Sequence, residues 1–115
     1  MALSSNSIGD AGAAAIAEAL KVNTALATLV LYDSNIGDSG AAAIGGALKV
    51  NSGLKGLYFR NNNLGYNGAI AVAAALKANT VLTRLNLANT NVGASAGAAA
   101  LAEALKVITV LTTLC

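Results

Sequence analysis

The feature that most constrains the fold of this 115-residue chain is an internal repeat. A shift of about 28 residues aligns Ile8-Gly9-Asp10 with Ile36-Gly37-Asp38 and aligns Leu20-Lys21 with Leu48-Lys49 and Leu76-Lys77. A fourth copy follows with one additional residue, a difference that a loop absorbs. A repeat of this length predicts a fold in which successive turns stack and shield one another from water.

Each repeat contains two segments that differ in hydrophobic spacing. The first segment reads L-x-x-L-x-L, as in Leu26, Leu29 and Leu31, and predicts a strand of about three residues. The second segment is rich in alanine, as in Gly12–Lys21, and predicts a helix of about ten to twelve residues. The sequence therefore predicts short strands that alternate with helices.

Polar residues precede each predicted helix. Asp10 and Asp38 stand where a helix N-cap is required, so we expect each of them to cap its own helix. In the third and fourth repeats, where no aspartate occurs at this position, Asn67 and Ser95 are the candidate caps. These residues predict where the helices begin.

One glycine recurs just before each predicted helix. We expect a positive φ angle or a close approach of neighbouring backbone at this position, where a side chain would clash. The glycines are Gly9, Gly37, Gly65 and Gly93.

The repeats resemble leucine-rich repeats of the ribonuclease-inhibitor type, similar to those of NOD-like receptors, whose pattern is L-x-x-L-x-L-x-x-N-x-I/L followed by a helix. The third copy reads Leu54-x-x-Leu57-x-Phe59-x-x-Asn62-x-Leu64. This resemblance implies an α/β solenoid, a horseshoe with short parallel strands on the concave face and helices on the convex face. It also implies that residues 1–115 form a single domain of about four repeats.

The asparagine of this pattern hydrogen-bonds backbone across successive turns in the family. The chain keeps it at Asn6 and Asn62 but has Ser34 and Thr90 at the other two positions. Because serine and threonine side chains are shorter, we expect a weaker ladder of hydrogen bonds at those two turns.

Two further departures affect packing. Phe59 stands at a leucine position, and we expect it inside the core. Gly45-Gly46 lies in the second predicted helix, where each glycine costs about 1 kcal/mol relative to alanine. Packing against neighbouring turns must therefore hold this helix together.

Neither end of the sequence resembles a polar capping repeat. The chain opens with Met1-Ala2-Leu3, already within a strand pattern, and ends at Leu111–Cys115 before that pattern is complete. We expect two apolar ends, which suit a piece of a longer repeat protein, end-to-end self-association, or membership of a large complex.

The composition excludes several functions. With no histidine and one cysteine, the sequence offers no usual set of catalytic or metal-binding groups, so we expect neither enzymatic activity nor a cofactor. The net charge of +2 is too small for a nucleic-acid-binding surface.

The mean hydropathy of +0.64 reflects alanine rather than a membrane span. No apolar run approaches the roughly 18 residues that a spanning helix requires, and the N-terminus lacks the pattern of a secretory signal. We therefore expect no membrane insertion and a cytoplasmic location.

The candidate binding residues alternate with the inward leucines, and therefore lie on the concave face. Tyrosine and arginine are the residue types that most often anchor protein interfaces, and they occur near the middle of this face. The candidates are Val30, Tyr32, Tyr58, Arg60, Arg84 and Asn86.

These observations favour a non-enzymatic module that binds a protein partner through its concave face. A second hypothesis is a structural subunit, packed permanently in a larger assembly through its helices or ends, which would suit a charged content of 10%. A third, which the family resemblance implies, is a regulator of an enzyme such as a GTPase or a nuclease.

Overall fold

The alternation of strands and helices predicted from the repeat is present. The computed structural model describes residues 8–79, 81–87, 90, 99–100 and 113–114. The elements are α1 (Gly9–Val22), β1 (Thr28–Val30), α2 (Asp38–Leu48), β2 (Gly56–Tyr58), α3 (Gly65–Ala78), β3 (Arg84–Asn86) and β4 (Thr113–Leu114). The first three strands have the three residues predicted for them. The chain folds as an α/β solenoid.

The strands form one parallel sheet in the order β1-β2-β3-β4. Leu29 pairs with Leu57, and Leu57 pairs with Leu85, so the register of the sheet follows the sequence repeat. α2 and α3 each lie between two consecutive strands in the chain, and α2 packs between α1 and α3. One turn of the solenoid therefore corresponds to one repeat.

The core lies between the sheet and the helices. Strand residues alternate in direction, so the central leucine of each of β1, β2 and β3 is buried while its neighbours face away from the helices. Phe59 is 2% exposed, which confirms its predicted place in the core. The large side chains of this core include Leu29, Leu31, Ile36, Ile44, Leu48, Leu54, Leu57, Leu64, Leu82 and Leu85.

The two glycines of α2 have different surroundings. A Cβ atom at Gly45 would lie 2.9 Å from the carbonyl carbon of Ala71 in α3, closer than the backbones could tolerate. A Cβ atom at Gly46 would meet nothing within 4 Å. Gly45 therefore lets α2 approach α3 closely, whereas Gly46 makes no such contact.

The prediction that Asp10 and Asp38 cap their own helices is wrong. The N-cap residues of α1 and α2 are Ile8 and Gly37, and neither cap makes a side-chain hydrogen bond. Asp10 instead accepts hydrogen bonds from Gly37 N at 2.7 Å and Gly40 N at 2.9 Å, at the start of the following helix. Both aspartates lie inside the first turn of their own helices. α1 begins at Gly9, three residues before the predicted helix Gly12–Lys21.

The same arrangement recurs one turn later. The carboxylate of Asp38 accepts a hydrogen bond from the backbone N–H of Gly68 in the first turn of α3. Asn67 does not cap α3, whose N-cap is Leu64 without a side-chain bond. Each aspartate therefore links its own turn of the solenoid to the next.

The recurring glycine position is not uniform. Gly9 and Gly65 have positive φ angles of 66° and 70°, as predicted. Gly37 has a φ angle of −104°. A Cβ atom there would lie 3.3 Å from a carboxylate oxygen of Asp10, so the close neighbour at this position is a side chain and not the backbone that was predicted. The predicted clash is wrong at Gly9, where a Cβ atom would meet nothing within 4 Å.

Asn62 makes the cross-turn hydrogen bonds that the family pattern implies. Its Oδ1 accepts from Ser34 N and Ile36 N, each at 3.0 Å, in the preceding turn. Its Nδ2 donates to Leu31 O at 2.5 Å, also in that turn, and to Phe59 O at 2.9 Å in its own. The buried Asn62 amide therefore connects two turns.

The substituted positions make more local bonds. Ser34 Oγ donates to Tyr32 O at 3.1 Å, and Thr90 Oγ1 donates to Leu87 O at 2.6 Å. Both acceptors belong to the residue's own turn. The shorter side chains thus satisfy nearby carbonyls.

A second asparagine ladder, which the sequence analysis missed, follows the helices. Asn51 Nδ2 donates to Leu20 O at 2.7 Å and Asn23 O at 2.9 Å, in the preceding turn. Asn79 repeats this pattern, donating to Leu48 O at 2.8 Å and Asn51 O at 3.2 Å. Asn23, Asn51 and Asn79 recur at the spacing of the repeat, and this recurrence in the sequence could have predicted the ladder.

Several expectations concern residues outside the described part of the chain. Among the described residues, no helix combines the length and the apolar character needed to cross a bilayer. The residues named above that the structure does not describe are Met1, Ala2, Leu3, Asn6, Gly93, Ser95, Leu111 and Cys115.

Candidate functional site

The six candidate residues lie on the sheet face that is turned away from the helices. Val30 pairs with Tyr58, and Tyr58 pairs with Asn86, in three consecutive strands. Arg84 pairs with Gly56 at the other end of the strands. Arg60 and Arg84 are exposed, while the other four are partly buried. The repeat therefore places residues from three turns on one surface.

Tyr32 and Arg60 are held side by side by backbone hydrogen bonds beyond the strands. Leu31 N donates to Tyr58 O at 2.7 Å, and Asp33 N donates to Arg60 O at 3.1 Å. The Cζ atom of Arg60 lies 4.6 Å from the centroid of the Tyr32 ring, a cation–π contact. The guanidinium is thus oriented before any partner arrives.

Tyr58 contacts Tyr32, and both Tyr58 and Arg84 approach Gly56. The rings of Tyr32 and Tyr58 meet edge to face, with their centroids 6.4 Å apart and an interplanar angle of 84°. A Cβ atom placed on Gly56 would lie 3.2 Å from Tyr58 Cε2 and 3.7 Å from Arg84 Nε. Gly56 therefore leaves the space over which the Tyr58 ring and the Arg84 side chain lie.

We refer to Tyr32, Tyr58, Arg60 and Arg84 as the Tyr–Arg cluster. Arg60, Tyr32 and Tyr58 are in successive contact, and Arg84 lies near Gly56, which the Tyr58 ring also approaches. Rings in edge-to-face contact and a guanidinium over a ring lose little further freedom on binding. Val30 and Asn86 flank Tyr58 in the sheet.

The sequence analysis identified the cluster but not what shapes it. Gly56 occupies a position where the other repeats have Thr28 and Arg84. This absence of a side chain in one repeat could have predicted the space that the Tyr58 ring occupies. A larger side chain at Gly56 would displace the Tyr58 ring.

The helical side offers a second surface. A shallow apolar depression there is lined by Lys49, Ile70, Ala73, Ala74, Lys77, Ala78 and Ala100. Tyr66 and Ile70 are among its exposed large side chains. In the hypothesis that the chain packs into a larger assembly through its helices, this surface is the one that would make the contact.

The acidic residues offer no metal site where the structure describes them. Within those ranges, no three His, Cys, Asp or Glu residues lie close enough together to hold a metal ion. The Asp10 and Asp38 carboxylates instead bind backbone N–H groups of the next helix.

The hydrogen bond from Gly37 N lowers the pKa of the Asp10 carboxyl below its ordinary value of 3.8. The hydrogen bonds from Gly40 N and Ser39 also lower this pKa, whereas partial burial raises it. Asp10 therefore acts as a charged cap.

A comparison with solved structures supports the fold. The chain is similar to the structure described as Leiomodin-1 Actin-Binding Site 2 (ABS2), with a TM-score of 0.85 and 28% sequence identity. The similarity covers 96% of this chain and 68% of that chain. A search of curated protein sequences found no match.

A comparison with family models gives the classification. The model described as Leucine Rich repeat matches residues 2–17, 22–45 and 78–102, which together make up more than half of the chain. Those matches include residues of α1, α2, β1 and β3. The chain therefore belongs to the leucine-rich repeat family.

Proposed function

We propose that this chain is a non-enzymatic protein-binding module and that its partner binds the concave face of the sheet. The Tyr–Arg cluster carries this proposal, because it brings two tyrosines and two arginines together on an accessible face, with Tyr32 in contact with both Tyr58 and Arg60. Buried aromatic and arginine anchors supply most of the binding energy in protein interfaces. The proposal treats residues 1–115 as a single domain with repeats of the ribonuclease-inhibitor type.

Actin is the first partner to test. The similar structure is described as an actin-binding site, and the similarity extends over 96% of this chain. We propose actin binding as the specific form of the protein-binding function. The proposal has a direct assay, because monomeric actin can be tested by size-exclusion chromatography and filaments by co-sedimentation.

The decisive variant replaces three residues of the cluster, Tyr58→Ala, Arg60→Ala and Arg84→Ala. All three face away from the core, so we expect the variant to keep the circular dichroism spectrum of the parent chain and to lose about 1–2 kcal/mol of unfolding free energy from the ring and cation–π contacts. Actin binding should be lost. Binding that persists in this variant would contradict the concave site.

A matched control removes one tyrosine and two cations from the helical side, Tyr66→Ala, Lys49→Ala and Lys77→Ala. This control should bind actin as the parent chain does. Loss of binding in the control alone would favour the second hypothesis, in which the helices contact a larger assembly. If the parent chain binds neither form of actin, actin is excluded and the same variants are compared in affinity capture with mass spectrometry.

A further inference from the structure

We infer that the Tyr–Arg cluster selects an acidic peptide segment, extended in conformation and carrying two carboxylates that contact Arg60 and Arg84. The inference rests on the proposed function and specifies the chemistry of the partner. It follows from how charge is distributed over the solenoid, from the absence of carboxylate partners for the two guanidinium groups among the described residues, and from the separation of the two arginine backbones.

The described acidic residues are mostly engaged away from the concave face. Asp10 and Asp38 bind the N-terminal turns of α2 and α3. Glu18 pairs with Lys21 on α1, with Lys21 Nζ 2.9 Å from Glu18 Oε1. Asp33, three residues after β1, is the one described carboxylate beside the cluster, because its N–H donates a hydrogen bond to Arg60 O, and it stands against two guanidinium groups. Positive charge therefore dominates the described part of the concave face.

The two arginines have no carboxylate partner among the described residues. The ion pair between Lys21 and Glu18 is the only one found there within 4.0 Å. Arg60 lies over Tyr32, and Arg84 Nε would lie 3.7 Å from a Cβ atom on Gly56. A guanidinium presents a planar set of donors that fits a carboxylate in a bidentate manner. Both groups are therefore available to acidic side chains of a partner.

The backbone positions of the two arginines set the approximate spacing of the acidic groups. Arg84 is in register with Gly56, and Arg60 lies four positions after Gly56 on the neighbouring chain segment. With a rise of about 3.3 Å per residue and strands about 4.8 Å apart, the two arginine backbones are about 14 Å apart. An extended segment spans this distance in about three to five residues. Tyr32 and Tyr58 then contact the residues between the carboxylates.

The experiment selects binders from a random peptide library displayed on phage, with the whole chain immobilised. A counter-selection uses the variant Arg60→Gln and Arg84→Gln, in which exposed side chains are replaced and the fold is monitored by circular dichroism. We expect the enriched peptides to contain two Asp or Glu residues about three to five positions apart. We also expect them to be lost from the double variant.

Resynthesised peptides provide the quantitative test by fluorescence anisotropy. Replacing the acidic residues of a peptide by Asn or Gln, or using the arginine double variant, should each weaken binding by about tenfold or more. Raising the salt concentration should weaken it further, because screening shortens the range of charge interactions. The control variant Lys49→Gln and Lys77→Gln should bind like the parent chain.

The outcomes separate this inference from the proposed function. Enriched peptides that lack acidic residues but require Tyr58 and the arginines would overturn the acidic preference and leave the concave site in place. Peptides that bind the double variant as well as the parent chain would count against both. Failure to enrich any peptide would overturn the inference, while the actin and affinity-capture experiments would still test the site.

Discussion

The carboxylate of Asp10 caps the helix that follows its own, because Asp10 Oδ1 lies 2.7 Å from the backbone nitrogen of Gly37. The N-terminal turn of a helix has N–H groups without partners and a partial positive charge, so a carboxylate from a neighbouring turn stabilises it. In this solenoid, helix capping therefore joins adjacent repeats instead of acting within each helix.

The Asp10 contact makes stability depend on pH. Its folded pKa lies below the ordinary value of 3.8, mainly because of the hydrogen bond from Gly37 N. The contribution of Asp10 is therefore fully present above the unfolded pKa and is lost as the pH falls through the lower folded pKa. We expect Asp10→Ala to lower the free energy of unfolding by about 1 kcal/mol at neutral pH.

Urea denaturation of the parent chain and the Asp10→Ala variant at several pH values measures this effect. The difference in free energy between the two should shrink as the pH falls below 3.8. Glu18→Ala is the control, because Glu18 is exposed and its pair with Lys21 lies on one helix. A difference that stays constant through the acid range would contradict the charged cap.

The adjacent glycines Gly45 and Gly46 should respond in opposite directions to alanine. Gly45→Ala places a Cβ atom 2.9 Å from Ala71 C, so we expect α2 and α3 to separate and the free energy of unfolding to fall by about 1–3 kcal/mol. Gly46→Ala meets open space and removes a helix-disfavouring residue, so we expect a gain of about 0.5–1 kcal/mol.

Thermal and urea denaturation of the two variants provide the measurement, and each variant is the control for the other. Helix propensity alone predicts that both substitutions stabilise the protein. Stabilisation by Gly45→Ala would therefore show that a Cβ atom at this position lies farther than 2.9 Å from Ala71 C, and that α2 and α3 are less closely packed.

Among the polar residues on the sheet side, we expect replacement of Asn62 to lower the free energy of unfolding the most. Asn62→Ala removes partners from Ser34 N, Ile36 N and Leu31 O, all of which would remain in or near the core. Leaving buried polar groups without partners costs about 1–3 kcal/mol each, so we expect a loss of about 3 kcal/mol or more. Asn67→Ala, at an exposed position of α3, should change the stability by less than about 0.5 kcal/mol.

Asn62→Ser tests the role of side-chain length at the same position, because Ser34 is the residue found there one turn earlier. A serine hydroxyl bonds carbonyls close by, as Ser34 Oγ does with Tyr32 O. We expect Asn62→Ser to be nearly as unstable as Asn62→Ala in urea. A serine variant as stable as the parent chain would contradict this explanation.

The sequence predicted those features that depend on hydrophobic spacing alone. The three-residue strands around Leu29, Leu57 and Leu85, and the face that carries Tyr58, follow from the alternation of side chains along a strand. Contacts between turns were not predictable in this way. The reach of the Asp10 carboxylate to Gly37, and the folding of Tyr58 over Gly56, depend on how closely two turns approach.

The second asparagine ladder provides a matched pair of sites for the last prediction. Asn23 and Asn51 follow the same residues, Leu-Lys-Val, in successive repeats. Asn51 is 5% exposed and its side chain makes four hydrogen bonds, whereas Asn23 is exposed and its Oδ1 accepts from Ala25 N and Leu26 N. The difference lies in the bonds to a preceding turn, which Asn51 makes through Nδ2.

We therefore expect Asn51→Ala to lower the free energy of unfolding by about 2–4 kcal/mol, and Asn23→Ala by about 1 kcal/mol. Urea denaturation followed by circular dichroism measures both, with Asn67→Ala as the exposed control. Because the local turn bonds are the same in kind at both sites, the difference between the two variants reports the cross-turn bonds to Leu20 O and Asn23 O. Equal losses would show that the asparagines stabilise only their own turns, and that these two bonds contribute little to the stacking of the repeats.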